Sequence, residues 1–330
     1  MGSLTAAVIA VVLGLSAAMN NSRFAHAAIT SWLQVGFYAT SCPAAESLIQ
    51  NATQAKWNVD RTITAGLLRI SFHDCFVQGC DASNLIKSTP TNAAELDALP
   101  NLTLHGMDLI DTAKAAVEEA CPGIVSCADI ISLATRDAVV TAGGEYYAVP
   151  TGRRDSRVSL ASSVNLPGPG FSMASAASAF QGRGLNITDM VTLLGAHTMG
   201  VAHCKFFYDR LYNFSGTGRQ DPSMAPSLVE SLKSICPEAS AGLGNTIALD
   251  QGSEFVFDKS YYNQLEKNHG ILQIDQELTH DPTTSSIVKS LAGPASRFGS
   301  SFGQAMVKMG KIGVLTGSQG EIRKVCSQIN

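Results

Sequence analysis

Arg69 and His73 stand four residues apart in the stretch Ala65-Gly66-Leu67-Leu68-Arg69-Ile70-Ser71-Phe72-His73-Asp74-Cys75. That stretch reads as a helix, and a helix places residues i and i+4 on one face. A permanent cation beside an imidazole can move a proton and steady the charge that develops as it moves; on spacing alone it could equally be a surface coincidence. Directly after it, Asp74, Asp81 and Ser83 set hard oxygens around a loop bracketed by Cys75 and Cys80 and containing Gly79. Calcium draws on six to eight such oxygens, backbone carbonyls included, whereas the bland reading is a solvated acidic turn; the spacing is not that of an EF-hand. Far downstream, His197 lies in the apolar run Leu193-Leu194-Gly195-Ala196-His197-Thr198-Met199-Gly200. A histidine so placed is either a satisfied core residue or the single imidazole that haem iron takes as its proximal ligand.

These groups need rigid elements to position them, and the periodicity supplies helices. Leu109, Ile110, Ala113, Ala116 and Val117 follow three-to-four spacing and are closed by Cys121-Pro122-Gly123, and a second such pattern starts at Cys127 with Ile130, Ile131, Leu133 and Ala134. Alternating runs are few and short. The break Asn165-Leu166-Pro167-Gly168-Pro169-Gly170 is the best candidate for a boundary between lobes. With 45% hydrophobic and 15% charged residues the chain has ample core material, and a net charge of -4 offers no basic face for nucleic acid. The uncharged stretch Leu4 to Met19, followed by Ala25-His26-Ala27, predicts a signal peptide over residues 1–27, although no Lys or Arg precedes it. Ser16, Asn20 and Asn21 interrupt that run, so a membrane span is not expected.

Eight cysteines follow it, Cys42, Cys75, Cys80, Cys121, Cys127, Cys204, Cys236 and Cys326. An even set in an exported chain points to disulfides, with about 105 pairings open to eight cysteines. Paired Cys-x-x-Cys knuckles for zinc are absent from the sequence. Asn51, Asn186 and Asn213 head glycosylation sequons, and Asn101-Leu102-Thr103 is a fourth.

Taken together, several motifs in one order carry a resemblance: Arg69-x-x-Phe72-His73-Asp74-Cys75, Gly79-Cys80-Asp81-Ala82-Ser83, Cys121-Pro122-x-x-Val125-Ser126-Cys127-Ala128-Asp129, Gly152-Arg153-Arg154-Asp155 and Gly195-Ala196-His197-Thr198. The chain resembles the plant secretory (class III) haem peroxidases from Phe37-Tyr38-x-x-Ser41-Cys42-Pro43 to Ile322-Arg323-x-x-Cys326. The resemblance implies an all-α fold with one haem b between two lobes. The haem peroxidase domain would span 28–330, with a distal lobe over about 28–170 plus 305–330 and a proximal lobe over about 171–304.

It further implies His73 as distal acid and base, Arg69 as stabiliser of developing charge, Asn101 as the acceptor that keeps His73 basic, and Glu95 linking that network. His197 would bind the iron, with Asp275 accepting from its imidazole. One calcium would take Asp74, Val77, Gly79, Asp81 and Ser83, and a second Thr198, Asp250, Ser253, Val256 and Asp258. The implied disulfides are Cys42–Cys121, Cys75–Cys80, Cys127–Cys326 and Cys204–Cys236. Hydrogen peroxide and small phenolic donors are the implied partners, the donors giving electrons near Pro167. The protein is expected as a monomer, in the cell wall or apoplast or in the vacuole, and as a glycoprotein whose Asn101 sequon stays unused.

Tyr147, His105 and Met199 depart from the family's usual Trp, Arg, and Ile or Phe; none is a catalytic group. A hydrolase is the competing enzyme class, but no His-Glu-x-x-His helix occurs. A calcium-stabilised binding scaffold that has lost catalysis would lack Arg69, His73, Asn101 or His197, and all four are present.

Overall fold

Helix α1 (Ala45–Val59) is followed by α2 (Ile63–Val77), which is apolar on nearly every face; only Ala65, Arg69 and Phe72 along it escape full burial. A helix of that composition belongs in an interior. The computed structural model, which describes residues 33–238 and 244–330, places α2 between two apolar cores. Ile63, Leu67 and Ile70 face one core, and Leu68, Cys75 and Phe76 face the other. The expected signal peptide and its cleavage point near Ala27 lie outside the described residues.

The first core is closed by α1, α3 (Met107–Ala120) and α4 (Cys127–Thr141), with α1 packed on both α3 and α4 and α2 packed on α4. The start of α4 is strongly capped. Ser126 Oγ accepts from Asp129 N, and the Asp155 carboxylate takes the N–H groups of Cys127 and Ala128. These are the donors that the first helical turn cannot satisfy, and a carboxylate there also complements the helix dipole.

The second core gathers α5 (Met173–Gly182), α6 (Ile187–Leu194), α7 (Tyr208–Tyr212), α8 (Pro226–Ile235), α9 (Ser260–Glu266), α10 (Gln273–His280), α11 (Pro282–Ala292) and α12 (Phe298–Met309). Helix α6 packs on α11 and α12. It begins in a capping box between Asn186 and Asp189 and runs into a 3-10 turn, Gly195–Thr198, that carries His197. A side chain at Gly195 would meet the Tyr262 hydroxyl at 2.4 Å, so only glycine lets α9 press against this turn. Strand β1 (Val201–His203) pairs antiparallel with β2 (Thr246–Ala248), Ala202 opposite Ile247. Strands of three residues are too short for alternation to be read in the sequence.

The fold is therefore mostly helical, as expected, and the four disulfides form the implied set. Cys127–Cys326 spans 199 residues and ties the chain's end to the start of α4; closing a loop that long removes roughly 5 kcal/mol of unfolded-chain entropy. Buried Arg153 reinforces the tie, pairing with Asp129 at 2.8 Å and donating to Gly310 O. Arg323 donates to Ala82 O at 2.7 Å. The Gly-Arg-Arg-Asp run thus works structurally, clamping the C-terminal segment to the first core. Among the described residues no helix is long and apolar enough to cross a membrane.

Candidate active site

Ala65, Arg69 and Phe72 follow one another at i, i+4 and i+7, so the accessible residues of α2 form one stripe in an otherwise buried helix. Opposite it, Leu194, Ala196 and His197 are also partly accessible. The turn after His197 touches α2 directly, since a side chain at Gly200 would come within 2.8 Å of Ala65 Cβ. Leu166 and Phe171 border the second core, half-buried. Ala65, Phe72, Leu166, Phe171, Leu194 and Ala196 all pack, partly buried, against the second core.

His73 is 6% exposed. Its Nδ1 lies 2.6 Å from Asn101 Oδ1, and Asn101 Nδ2 donates to Glu95 O at 2.7 Å. The second bond fixes which way the amide points. Asn101 therefore presents its oxygen, His73 Nδ1–H donates, and Nε2 keeps the lone pair. Burial pushes the His73 pKa down to about 4, the bond to Asn101 holds it up in part, and the charge of Arg69 lowers it further. His73 is a neutral base at ordinary pH.

The loop that carries Asn101 also anchors Arg69, whose Nη1 donates to Thr103 Oγ1 at 2.8 Å and Thr103 O at 3.1 Å while Nη2 donates to Pro100 O at 2.8 Å. This explains why a sequon can sit beside the site: its Asn and its Thr both bond inward. Glu95 reaches Asn101 through its backbone carbonyl, not its side chain. Both Glu95 carboxyl oxygens are buried without a hydrogen-bond partner among the described residues. Burial raises that carboxyl to about 7; Ser83, nearby but outside hydrogen-bonding geometry, offsets this only in part, and the charge of Asp81 adds to it.

In the turn that follows α6, His197 Nδ1–H donates to Asp275 Oδ1 at 2.8 Å. Its side chain is 29% exposed. Burial works against the charged imidazole, but the charge and hydrogen bond of Asp275 outweigh it; Arg69 opposes them, and the pKa is raised. The charge of Arg69 thus acts on both histidines. Pro167 lies half-buried in the same stretch as Pro169, whose carbonyl accepts from Ile274 N beside Asp275.

The two loops expected to hold calcium bring several buried oxygens together. In the first, Asp74 Oδ1 and Ser83 Oγ are buried without a partner among the described residues. Burial and the charge of Asp81 push the Asp74 carboxyl well up. Asp81 N donates to Gly79 O at 3.0 Å, Arg183 donates to Val77 O at 2.7 Å, and Ala82 adopts a left-handed conformation with φ 59° that Arg323 braces. In the second loop, Thr198 Oγ1 lies 3.0 Å from Asp250 Oδ2 and 3.4 Å from Val256 O, and Ser253 Oγ lies 3.4 Å from Asp250 Oδ2 and 3.0 Å from Asp258 Oδ1. No ion pair among the described residues neutralises Asp74, Asp81, Asp250 or Asp258. No cluster of three His, Cys, Asp or Glu occurs among them either.

Of the departures, Met199 is buried in the second core, His105 rests against Gly66 with Nε2 3.3 Å from Thr62 O, and Tyr147 packs on Gly303 with its hydroxyl buried and unbonded among the described residues. Among the described residues no side chain of the three hydrogen-bonds to His73 or His197. Sequence reasoning missed Tyr261, 1% exposed, whose hydroxyl donates to Asp275 Oδ1 at 2.9 Å, and Thr103 as the anchor of Arg69. Neither carries a local signal, since each partner lies far away in the sequence or in an irregular loop.

The family described as peroxidase matches residues 49–293. Among curated proteins, Peroxidase 57 of Arabidopsis thaliana is 51% identical over 298 residues, covering 90% of this chain and 93% of its own. Peroxidase 25 of the same plant is 49% identical over 304 residues, with 90% and 92% covered. Peroxidase 5 of Vitis vinifera is 46% identical over 301 residues, again with 90% and 92% covered.

Proposed function

The chain belongs to the peroxidase family, and from that premise we propose that His73 and Arg69 act on hydrogen peroxide while His197 holds the iron of one haem b. The observation that carries this reading is the pair of matched tautomers. Both histidines spend Nδ1–H on a fixed acceptor and keep the Nε2 lone pair, with the charge of Arg69 acting on both.

When bound, the haem supplies the redox chemistry, accepting oxidising equivalents from peroxide and electrons from donors. The residues manage protons and charge. His73 Nε2 takes the proton from one peroxide oxygen and returns it to the other, which leaves as water. Neutral His73 suits that task because a base must be unprotonated before the reaction. The guanidinium of Arg69, pinned by Thr103 and Pro100, offsets negative charge on the departing oxygen without reorganising. Asp275 lends negative charge to His197, which favours electron-poor iron.

Two calcium ions would occupy the loops, the first on Asp74, Val77, Gly79, Asp81 and Ser83 and the second on Thr198, Asp250, Ser253, Val256 and Asp258. Buried carboxylates without a paired cation support this. The two apolar cores support a division into a distal and a proximal lobe. Phenolic donors would deliver electrons near half-buried Pro167, the protein working as a secreted monomer of the apoplast or vacuole, with glycans at exposed Asn51, Asn186 and Asn213. The test is direct: purified protein should show an intense Soret band and oxidise a panel of phenols only when peroxide is present. A colourless protein that stays inactive after haem reconstitution overturns the reading.

A further inference from the structure

Asp275 Oδ1 accepts twice: from His197 Nδ1–H at 2.8 Å and from the Tyr261 hydroxyl at 2.9 Å. We propose that Tyr261 is a positioning residue that moderates the negative charge Asp275 lends to His197, and thereby sets how strongly the imidazole donates to a bound iron.

The argument rests on that shared oxygen. A carboxylate oxygen bonded to a second donor has less electron density for the first, so the bond from His197 is weaker than it would be to Asp275 alone. The phenol can only donate here, because its partner is an acceptor. Nor can it drift away. Tyr261 sits in the first turn of α9 between two pinned neighbours: Ser260 Oγ donates to Asp250 Oδ1 at 2.9 Å, and the Tyr262 hydroxyl donates to Val191 O at 3.0 Å. Its ring meets the His197 ring edge-on with centroids 6.1 Å apart, which also fixes the imidazole plane. The same α9 turn therefore ties the second oxygen-rich loop, the C-terminal end of α6 and the partner of His197 together. Burial keeps water from replacing the phenol, so removing the hydroxyl leaves Asp275 with one donor fewer rather than a substitute.

The inference rests on haem ligation by His197, and the experiment separates the two. Holoenzyme carrying Tyr261→Phe and holoenzyme with 3-fluorotyrosine at position 261 are compared with wild type by resonance Raman of the ferrous iron–histidine stretch and by ferric/ferrous redox titration. Tyr261→Phe should raise the stretching frequency and shift the ferric/ferrous equilibrium about tenfold toward ferric, about 59 mV lower in potential. Fluorotyrosine, a stronger donor, should move both quantities the opposite way, and it retains the ring should Tyr261→Phe fold poorly. A phenol that merely fills space would leave the frequency and the potential at wild-type values in both proteins, and that result overturns the inference alone. A wild-type protein without a histidine-ligated iron overturns the functional reading and this inference with it.

Discussion

His73 and His197 anchor the same ring nitrogen, Nδ1–H, yet their surroundings push them in opposite directions. His73 leans on the neutral amide of Asn101, which cannot compensate for burial, and its pKa falls to about 4. His197 leans on the Asp275 carboxylate, whose charge outweighs burial, and its pKa rises. Desolvation disfavours the charged form of both; the partner decides the outcome. A neutral acceptor leaves a free base for proton transfer, while a charged acceptor makes a stronger metal ligand. The acceptor's charge, not the histidine, separates the two pKa shifts.

The largest break in this comparison is His73→Ala, which removes the base and leaves His197 intact. Stopped-flow measurement should show the peroxide reaction slowed by roughly 10²–10⁴-fold while the Soret band persists. Asp275→Asn makes the two partners alike, and it should cost roughly 10–100-fold in haem retention or turnover, read by haem transfer to an apo-acceptor and by steady-state rates.

A pH profile sharpens the distal half. The reactive neutral form of His73 is lost as pH falls through about 4, so the peroxide rate constant should bend downward there. The sign for stability agrees: between about 4 and the ordinary histidine value near 6.5 the unfolded chain binds the extra proton, so His73 costs stability at low pH and that cost disappears as pH rises to about 6.5. Asn101→Ala removes the bond that holds the pKa up and should move the bend to lower pH. The smallest effect is an absence. Intact-mass and glycopeptide analysis should find no glycan on Asn101, which is 1% exposed, whatever Asn51, Asn186 and Asn213 carry.

Much of this site was legible before any coordinates. The i, i+4 placement of Arg69 and His73 needed only helical geometry, and the disulfide set and the near absence of strands followed from the family resemblance. Glu95 shows where that reading stopped: it was expected to link the distal network, and its bond with Asn101 runs through a backbone carbonyl that no side-chain motif encodes.

What the sequence alone determined, then, was local: which residues share a helix face, which loops are rich in oxygen, and that His197 lies in an apolar run. The tertiary structure decided the partners. Asn101 comes to His73 across 28 residues, Asp275 to His197 across 78, Thr103 to Arg69 across 34, and Tyr261 to the carboxylate that His197 already uses. Those choices depend on how α2, the loop before α3, α9 and α10 pack, and packing is a property of the whole core rather than of any spacing along the chain.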